Sequence, residues 1–211
     1  SYNQAPFLEE TLRSVLAQGY PRLEYLVIDG GSTDGSVEII ERYAAHLAGW
    51  VSERDRGQSD AINKGFQRAT GEIVAWINSD DTFCPGALHA QVGYLLERPD
   101  VDVVYGDCLY TDPAGRPVQT AYGRPFSQQE LLRFTIPYQP TVFMRRAAME
   151  RAGGLDPDYH YAMDSEYWLR LHATGARFAY NPRLIATYRL HASSKTMAGT
   201  AKMHADWERL I

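Results

Sequence analysis

Cysteine is scarce: Cys84 and Cys108 are the only two, with no CxxC or zinc-type spacing, which argues against a disulfide framework and fits a reducing compartment. An excess of positive charge is also missing. With Lys+Arg 21 against Asp+Glu 26, the net charge of -5 gives no general attraction to nucleic acid, so any phosphate must be met locally by a metal, backbone amides or single cations. No run of about 18 apolar residues occurs, and no basic leader precedes an apolar stretch. The sequence therefore predicts no membrane span and a cytoplasmic placement. A GxGxxG fingerprint and a P-loop are absent as well. No linker, repeat or low-complexity tract divides the chain, so residues 1–211 are expected to form one domain.

What is present is a 45% hydrophobic chain that alternates in character. Phe7, Leu8, Leu12, Val15 and Leu16 recur at helical spacing behind Pro6, and Leu23 to Ile28 is short and β-rich. A second helix around Val37 to Leu47 leads to a strand at Trp50–Ser52. The unit repeats as a helix from Ser59 to Ala69, a buried strand at Ile73–Ile77 and a helix from Pro85 to Arg98. Such alternation predicts an α/β fold with a mostly parallel central sheet and flanking helices. Val103–Asp112 and Pro117–Tyr122 flank Pro113-Ala114-Gly115 and read as a hairpin, a small antiparallel extension. Further on, a strand is expected at Thr141–Met144, helices at Arg146–Ala152 and Met163–Thr174, and strands at Phe178–Tyr180 and Ile185–Leu190. The tail from Ser193 is small and polar, expected to stay mobile until something orders it. Ser1-Tyr2-Asn3 leads straight into a helix, so a strand is expected upstream.

Two acidic loops fall at strand carboxyl ends, where ligands bind in such sheets. Asn78-Ser79-Asp80-Asp81 presents hard oxygen donors suited to Mg²⁺ or Mn²⁺, although a turn or helix-cap role explains such aspartates equally well. Asp29-Gly30-Gly31-Ser32-Thr33-Asp34-Gly35 lets backbone approach a ligand closely, or is simply a turn and cap. Asp164-Ser165-Glu166 opens a helix and reads as a general-base segment or as dipole-capping carboxylates. His191 stands alone after Tyr188-Arg189-Leu190.

Taken in order, these segments resemble the family 2 glycosyltransferases of GT-A fold, a Rossmann-like architecture, along nearly the whole chain. The resemblance is carried by Ser1-Tyr2-Asn3-Gln4, Val27 to Gly35, Asp55 to Gly65, the loop ending at Asp80-Asp81, Met163 to Leu171 and Tyr188 to His191. It implies an inverting, metal-assisted transfer from a nucleoside-diphosphate sugar to a hydroxyl of a glycan or lipid-linked acceptor, as in polysaccharide biosynthesis. It also implies that Tyr2, with Asn3 beside it, meets the nucleobase, that Asp29 and Gly30 help hold base or ribose, and that Asp60 and its neighbours, Lys64 among them, line the nucleotide pocket. Asn78 and Ser79 fall near ribose or sugar, Asp80 and Asp81 at the metal with His191, and Asp164 at the base. Asn78 and Gly30 stand where many relatives have aspartate, which leaves guanosine and deoxythymidine donors open beside uridine. Met163 replaces a common glutamate, leaving Glu166 as a rival base. A lipid-linked acceptor would bring the protein peripherally to the inner membrane face. The rival readings are a non-catalytic nucleotide- or glycan-binding module and a sugar-phosphate nucleotidyltransferase; the latter needs an early Gly-rich basic loop that the sequence lacks.

Overall fold

The computed structural model describes residues 1–134, 136–192, 194–195 and 200–210. Helix α1 (Ala5–Leu16) buries Leu8, Thr11, Leu12 and Val15, the stripe its spacing predicts, and Pro6 occupies its first turn. It packs on α2 (Ser36–Tyr43) and on a parallel pair, β1 (Leu26–Asp29) and β2 (Gly49–Ser52), around Leu8, Leu12, Val27, Ile39 and Ile40. Helix α3 (Gln58–Arg68) follows β2 and lies against β1.

The larger sheet contains β3 (Ile73–Val74), β4 (Thr82–Phe83), β5 (Val103–Thr111), β6 (Pro117–Ala121), β7 (Phe143–Arg145) and β8 (Phe178–Arg189) in the order β3-β7-β5-β8-β4, with β6 on β5. Among these pairs only β5 with β8 is parallel; the others are antiparallel. The α/β class and the antiparallel hairpin stand, but the sheet is mixed rather than mostly parallel. The short β7 and β4 run antiparallel to the strands they pair with, β3 and β5 for the one and β8 for the other, so the alternation of strands and helices along the chain does not translate into parallel neighbours here.

Helix α4 (Ala87–Glu97) covers one face of this sheet with Leu88 and Leu95. Helices α5 (Gln128–Phe134), α6 (Arg146–Ala152) and α7 (Met163–Ala173) cover the other, where Tyr167, Trp168 and Leu171 meet Phe66, Val103, Tyr105 and Met144. Full burial of each such side chain contributes about 1.5–3 kcal/mol, which fixes α7, and so its first turn, relative to the sheet.

Several expectations shift in detail. The ladder at Ile73 ends at Val74, and Ala75–Ile77 continue as cavity wall. A 3-10 turn at Gln139–Thr141 replaces the start of the strand expected at Thr141. The two strands expected after Ala176 are one, β8, running through Pro182. The register of β5 on β8 shifts across Gly106, where a side-chain carbon would fall 2.5 Å from Ile185 Cγ1. Of the tail, residues 193, 196–199 and 211 lie outside the described residues, and Thr200–Leu210 forms helix α8.

Candidate functional site

A cavity of about 1210 Å³ runs between β1 and β3, along Leu23–Ile28 and Ile73–Ile77, and continues past their carboxyl ends. At that end it is lined by Tyr2 and Gly30, the loop at Asp55 and Gln58, the loop Asn78–Asp81, and Asp164 with Lys195.

The loop after β1 is built around Asp29. Its buried carboxylate accepts from the Gly31 and Ser32 amides at 3.0 and 2.9 Å and from the Ser32 and Ser52 hydroxyls at 2.6 and 2.7 Å. Burial pushes its pKa up, but the hydrogen bonds from Ser32 and Ser52 outweigh this and hold it below the ordinary aspartate value. Asp29 therefore shapes the loop and does not reach the cavity surface. Asp34 does similar work, accepting from the Ala5 amide and from Ser36 to join the starts of α1 and α2. Asn3, at φ 51, accepts from the Thr33 amide and ties the first turn of chain to this loop.

Gly30 and Tyr2 face the cavity, and a side chain at Gly30 would overlap the Asp55 carboxylate. The second loop closes on itself through the Gly57 amide, which donates to Asp55 at 2.8 Å. Asp60 and Lys64 stand on the outer side of α3: Asp60 accepts from the Arg56 amide at 3.1 Å, and Lys64 pairs with Glu53 at 2.9 Å. Neither lines the cavity.

The third loop divides its work between neighbours. Asp80 lines the cavity, and its Oδ2 lies 3.0 Å from His191 Nε2. Asp81 is buried, accepting from the Arg189 amide at 3.0 Å and offering its backbone oxygen to Thr11. Burial, with Asp80 alongside, pushes the Asp81 carboxyl well above the usual range. Arg189 clamps the loop further, reaching the Asp80 carbonyl at 2.9 Å and Glu10 at 2.6 Å. Asn78 bridges Gln58 at 2.7 Å and Gln139 at 3.0 Å, and Ser79 faces the cavity beside it.

On the far wall, Asp164 and Glu166 separate cleanly. Asp164 faces the cavity, accepts from the Ser165 amide at 2.8 Å, and has its pKa raised by burial, with Lys195 and the Ser165 amide partly opposing the rise. Glu166 turns away into a bidentate pair with Arg170 at 2.6 and 2.8 Å. Helix α7 has no side-chain cap of its own; Asp206 of α8 instead accepts from the Tyr161 and Ala162 amides at 2.6 and 3.3 Å. Lys195 donates to Gln58 Oε1 at 3.0 Å and to the His160 carbonyl at 2.5 Å, and burial pulls its pKa down to about 8.

The structure thus gathers Tyr2, Gly30, Asn78, Ser79, Asp80, Asp81 and Asp164 around one cavity, with His191 behind Asp80. Asn3, Asp29, Asp60, Lys64 and Glu166 lie outside its lining. Asp55, Gln58 and Lys195 were not singled out in the sequence. Asp55 and Gln58 belong to the segment Asp55 to Gly65 that carries the family resemblance and could have been found there, whereas Lys195 carries no local signal.

Among the described residues no cluster of three acidic, His or Cys side chains forms a ready metal cage. Asp80 with His191 offers two suitable donors, which fits a divalent ion whose shell is completed by phosphate oxygens and water.

A cavity at the strand ends of an α/β sheet, walled by carboxylates and amides, is where such folds bind ligands, and the fold is of the GT-A type found in the solved glycosyltransferases it superposes on. The profile of the family described as "Glycosyl transferase family 2" matches residues 1–156, and the chain belongs to that family. It is 33% identical over 178 residues to an uncharacterized glycosyltransferase of Mycobacterium tuberculosis strain H37Rv, covering 81% of this chain and 65% of that protein. It is 30% identical over 198 residues to the Bacillus subtilis strain 168 protein TuaG, named for teichuronic acid biosynthesis, covering 90% and 76%. Among solved structures, a Pyrobaculum calidifontis mannosyltransferase in complex with GDP-Man and Mn²⁺ superposes with a TM-score of 0.71 at 28% identity, covering 92% of this chain and 56% of that one. S. aureus TarS 1–349 in complex with UDP gives a TM-score of 0.73 at 20% identity, covering 91% and 59%, a likeness of fold. Among the described residues no helix is long and apolar enough to cross a membrane.

Proposed function

We propose that this chain carries the donor and catalytic site of an inverting glycosyltransferase that uses a nucleoside-diphosphate sugar. The observation that carries the reading is that Asp80, backed by His191 at 3.0 Å, and Asp164 line one cavity. Family membership and the GDP-Man and UDP complexes of similar folds favour the donor class.

The nucleoside lies along Tyr2, Gly30 and Asp55, and the diphosphate extends toward Asp80. The donor sugar then sits between Asn78, Ser79 and Asp164. Asp80 and His191 would hold Mn²⁺ or Mg²⁺, and such an ion would supply charge neutralisation for the departing diphosphate. The acceptor hydroxyl attacks the anomeric carbon from the face opposite the diphosphate. The bond from that carbon to the diphosphate oxygen breaks as the new C–O bond forms, and the hydroxyl proton passes to a carboxylate oxygen of Asp164. A single displacement of this kind inverts configuration. Burial helps, because a carboxylate raised above its ordinary pKa is a stronger base near neutral pH. Lys195 adds a cation on the same wall, where its charge opposes the negative field of Asp164 and the donor.

A thermal-shift panel of GDP, UDP and dTDP with and without Mn²⁺ tests the donor half, since a ligand that binds only the folded state raises apparent stability. Metal-dependent stabilisation by one nucleotide is expected; no response to any of the three sinks the reading. Hydrolysis of the matching nucleotide sugar then separates transferase from binding module.

A further inference from the structure

Beside the main cavity a smaller concavity of about 270 Å³ is lined by Tyr110, Gln119, Thr120, Tyr122, Arg124 and Tyr138. The sheet joins the two. Tyr110 of β5 stands directly opposite Gln119 of β6 and opposite Tyr188 of β8. Residues opposite one another on adjacent strands share a face, so these side chains form one row across it. Tyr188 at the inner end lines the main cavity. Its ring lies edge-on to Tyr110 at 5.6 Å, and Tyr110 meets Tyr138 the same way at 6.3 Å.

The outer end is held rigidly although it is exposed. Asp107 accepts from the Gly123 amide at 2.8 Å and from the Tyr180 hydroxyl at 2.6 Å, and the Tyr105 hydroxyl donates to the Arg124 carbonyl. At Gly123 a side-chain carbon would fall 2.5 Å from Tyr180 Cε2, so packing requires glycine there. Tyr122 is nevertheless 68% exposed on this fixed base. An exposed ring on rigid backbone adds little to folding but costs little entropy to use in binding. Rings interspersed with an amide, hydroxyls and a guanidinium suit a ligand with apolar C–H faces and hydroxyl edges.

We infer that the row Tyr188, Tyr110 and Gln119, with the concavity around Tyr122 and Tyr138, is the acceptor subsite and takes a saccharide. A sugar ring lies on Tyr122, and the reactive end of the chain passes Tyr188 into the cavity that Asp164 lines. The assignment rests on the glycosyl-transfer reading and deepens it, committing the acceptor to carbohydrate on this side of the sheet.

The test applies the full chain to a broad array of defined oligosaccharides. The best binder is then titrated into the parent, Tyr122→Ala and Tyr122→Phe, with GDP and UDP plus Mn²⁺ titrated in parallel. The parent is expected to bind oligosaccharide, Tyr122→Ala to bind it about tenfold more weakly, and Tyr122→Phe, which keeps the ring, to stay close to the parent. Nucleotide affinity stays the same in all three. A parent that binds no oligosaccharide, or a Tyr122→Ala chain that binds as the parent does, overturns the subsite. A parent that binds neither nucleotide overturns the transfer reading, and the acceptor role with it, independently of the array.

Discussion

Asp29 and Asp164 are both carboxylates at the site, yet their surroundings push them in opposite directions. Asp29 is satisfied by donors that are its near neighbours in sequence, together with Ser52 on the adjacent strand, and its pKa falls. Burial raises the pKa of Asp164, outweighing the Ser165 amide from which it accepts, its own amide, Lys195 and the Ser165 hydroxyl, which all favour its charge. A similar contrast separates the segments around the cavity. The loop after β1 is closed largely by its own near neighbours, whereas the acidic loop and the α7 wall are held by distant segments, Arg189 and His191 for the one and Asp206 and Lys195 for the other. A fully satisfied carboxylate builds a scaffold, whereas an under-satisfied one keeps free energy available for a proton or a ligand.

Exchanging Asp164 for Asn breaks this comparison most severely. Loss of the base should lower transfer by about 10² to 10⁴, while nucleotide affinity measured by calorimetry is unchanged. Stability moves the other way. A carboxyl whose folded pKa is raised stabilises the fold at low pH and loses that contribution as pH rises through the folded value. At neutral pH the charged Asp164 is therefore a cost, and Asp164→Asn should melt at the parent's temperature or above. The parent's kcat/KM should fall with acid at a pH above the usual aspartate range. An active Asp164→Asn chain would remove the base assignment. Next in size is Asp80→Ala, which should weaken Mn²⁺-dependent nucleotide binding at least about tenfold and leave metal-free binding alone. Equal affinity with and without Asp80 would place the metal elsewhere.

The range of contacts also explains what could be read from the sequence. Helix α1 and the loop after β1 rest on spacing of a few residues, and the acidic loop follows directly on an apolar strand, so these elements were legible, although the Arg189 and His191 contacts that hold the acidic loop come from 108 and 111 residues away. Resemblance supplied Asp164, but only packing tells it from Glu166, since both lie in the first turn of α7. The cap from Asp206 to Tyr161 and the reach of Lys195 to Gln58 span 45 and 137 residues. No local pattern encodes such pairs. That Asp29, Asp60 and Lys64 lie outside the cavity lining was not legible, because a polar residue that braces a loop and one that faces a cavity look the same in a motif. The mixed sheet was hidden for a related reason: strand direction depends on connections, and β4 and β7 are too short to announce theirs.

Lys195 sharpens the comparison at intermediate size. It donates to two neutral oxygens, Gln58 Oε1 and the His160 carbonyl, and of its three ammonium protons one is left by that count for an incoming anion. Lys195→Met should weaken nucleoside diphosphate binding about tenfold, the scale of one charge-assisted hydrogen bond, and leave the bare nucleoside unaffected. Asp164, Asp206, His160 and Tyr161 surround the ammonium. Its pKa of about 8 fixes the sign of the pH effect: the advantage of the parent over Lys195→Met is complete below that value and disappears as pH rises through it. Lys195→Arg, which stays charged, should keep its affinity through pH 9. A uniform loss for nucleoside and diphosphate alike would reduce Lys195 to a tether for the tail.

The smallest effect is expected at Glu166, two residues from the proposed base. Its pair with Arg170 spans one helical turn, and the two side chains are 14% and 28% exposed. Arg170 also donates to the carbonyls of Ala152 and Gly154, so it joins α7 to the end of α6. Glu166→Gln keeps size and one acceptor oxygen but removes the charge. Partial exposure screens the pair, and the loss should be about 1 kcal/mol, which for a chain of this length lowers the melting temperature by roughly 2–4 °C. Transfer should stay within about twofold of the parent, because the carboxylate faces away from the cavity. Asp164→Asn and Glu166→Gln therefore form an inverse pair: one loses activity at equal or higher stability, the other loses stability at nearly equal activity. If Glu166→Gln instead abolished transfer while melting normally, the two carboxylates would have to exchange roles, and α7 would have to turn its first residues relative to the packed Tyr167 and Trp168 to bring Glu166 to the cavity.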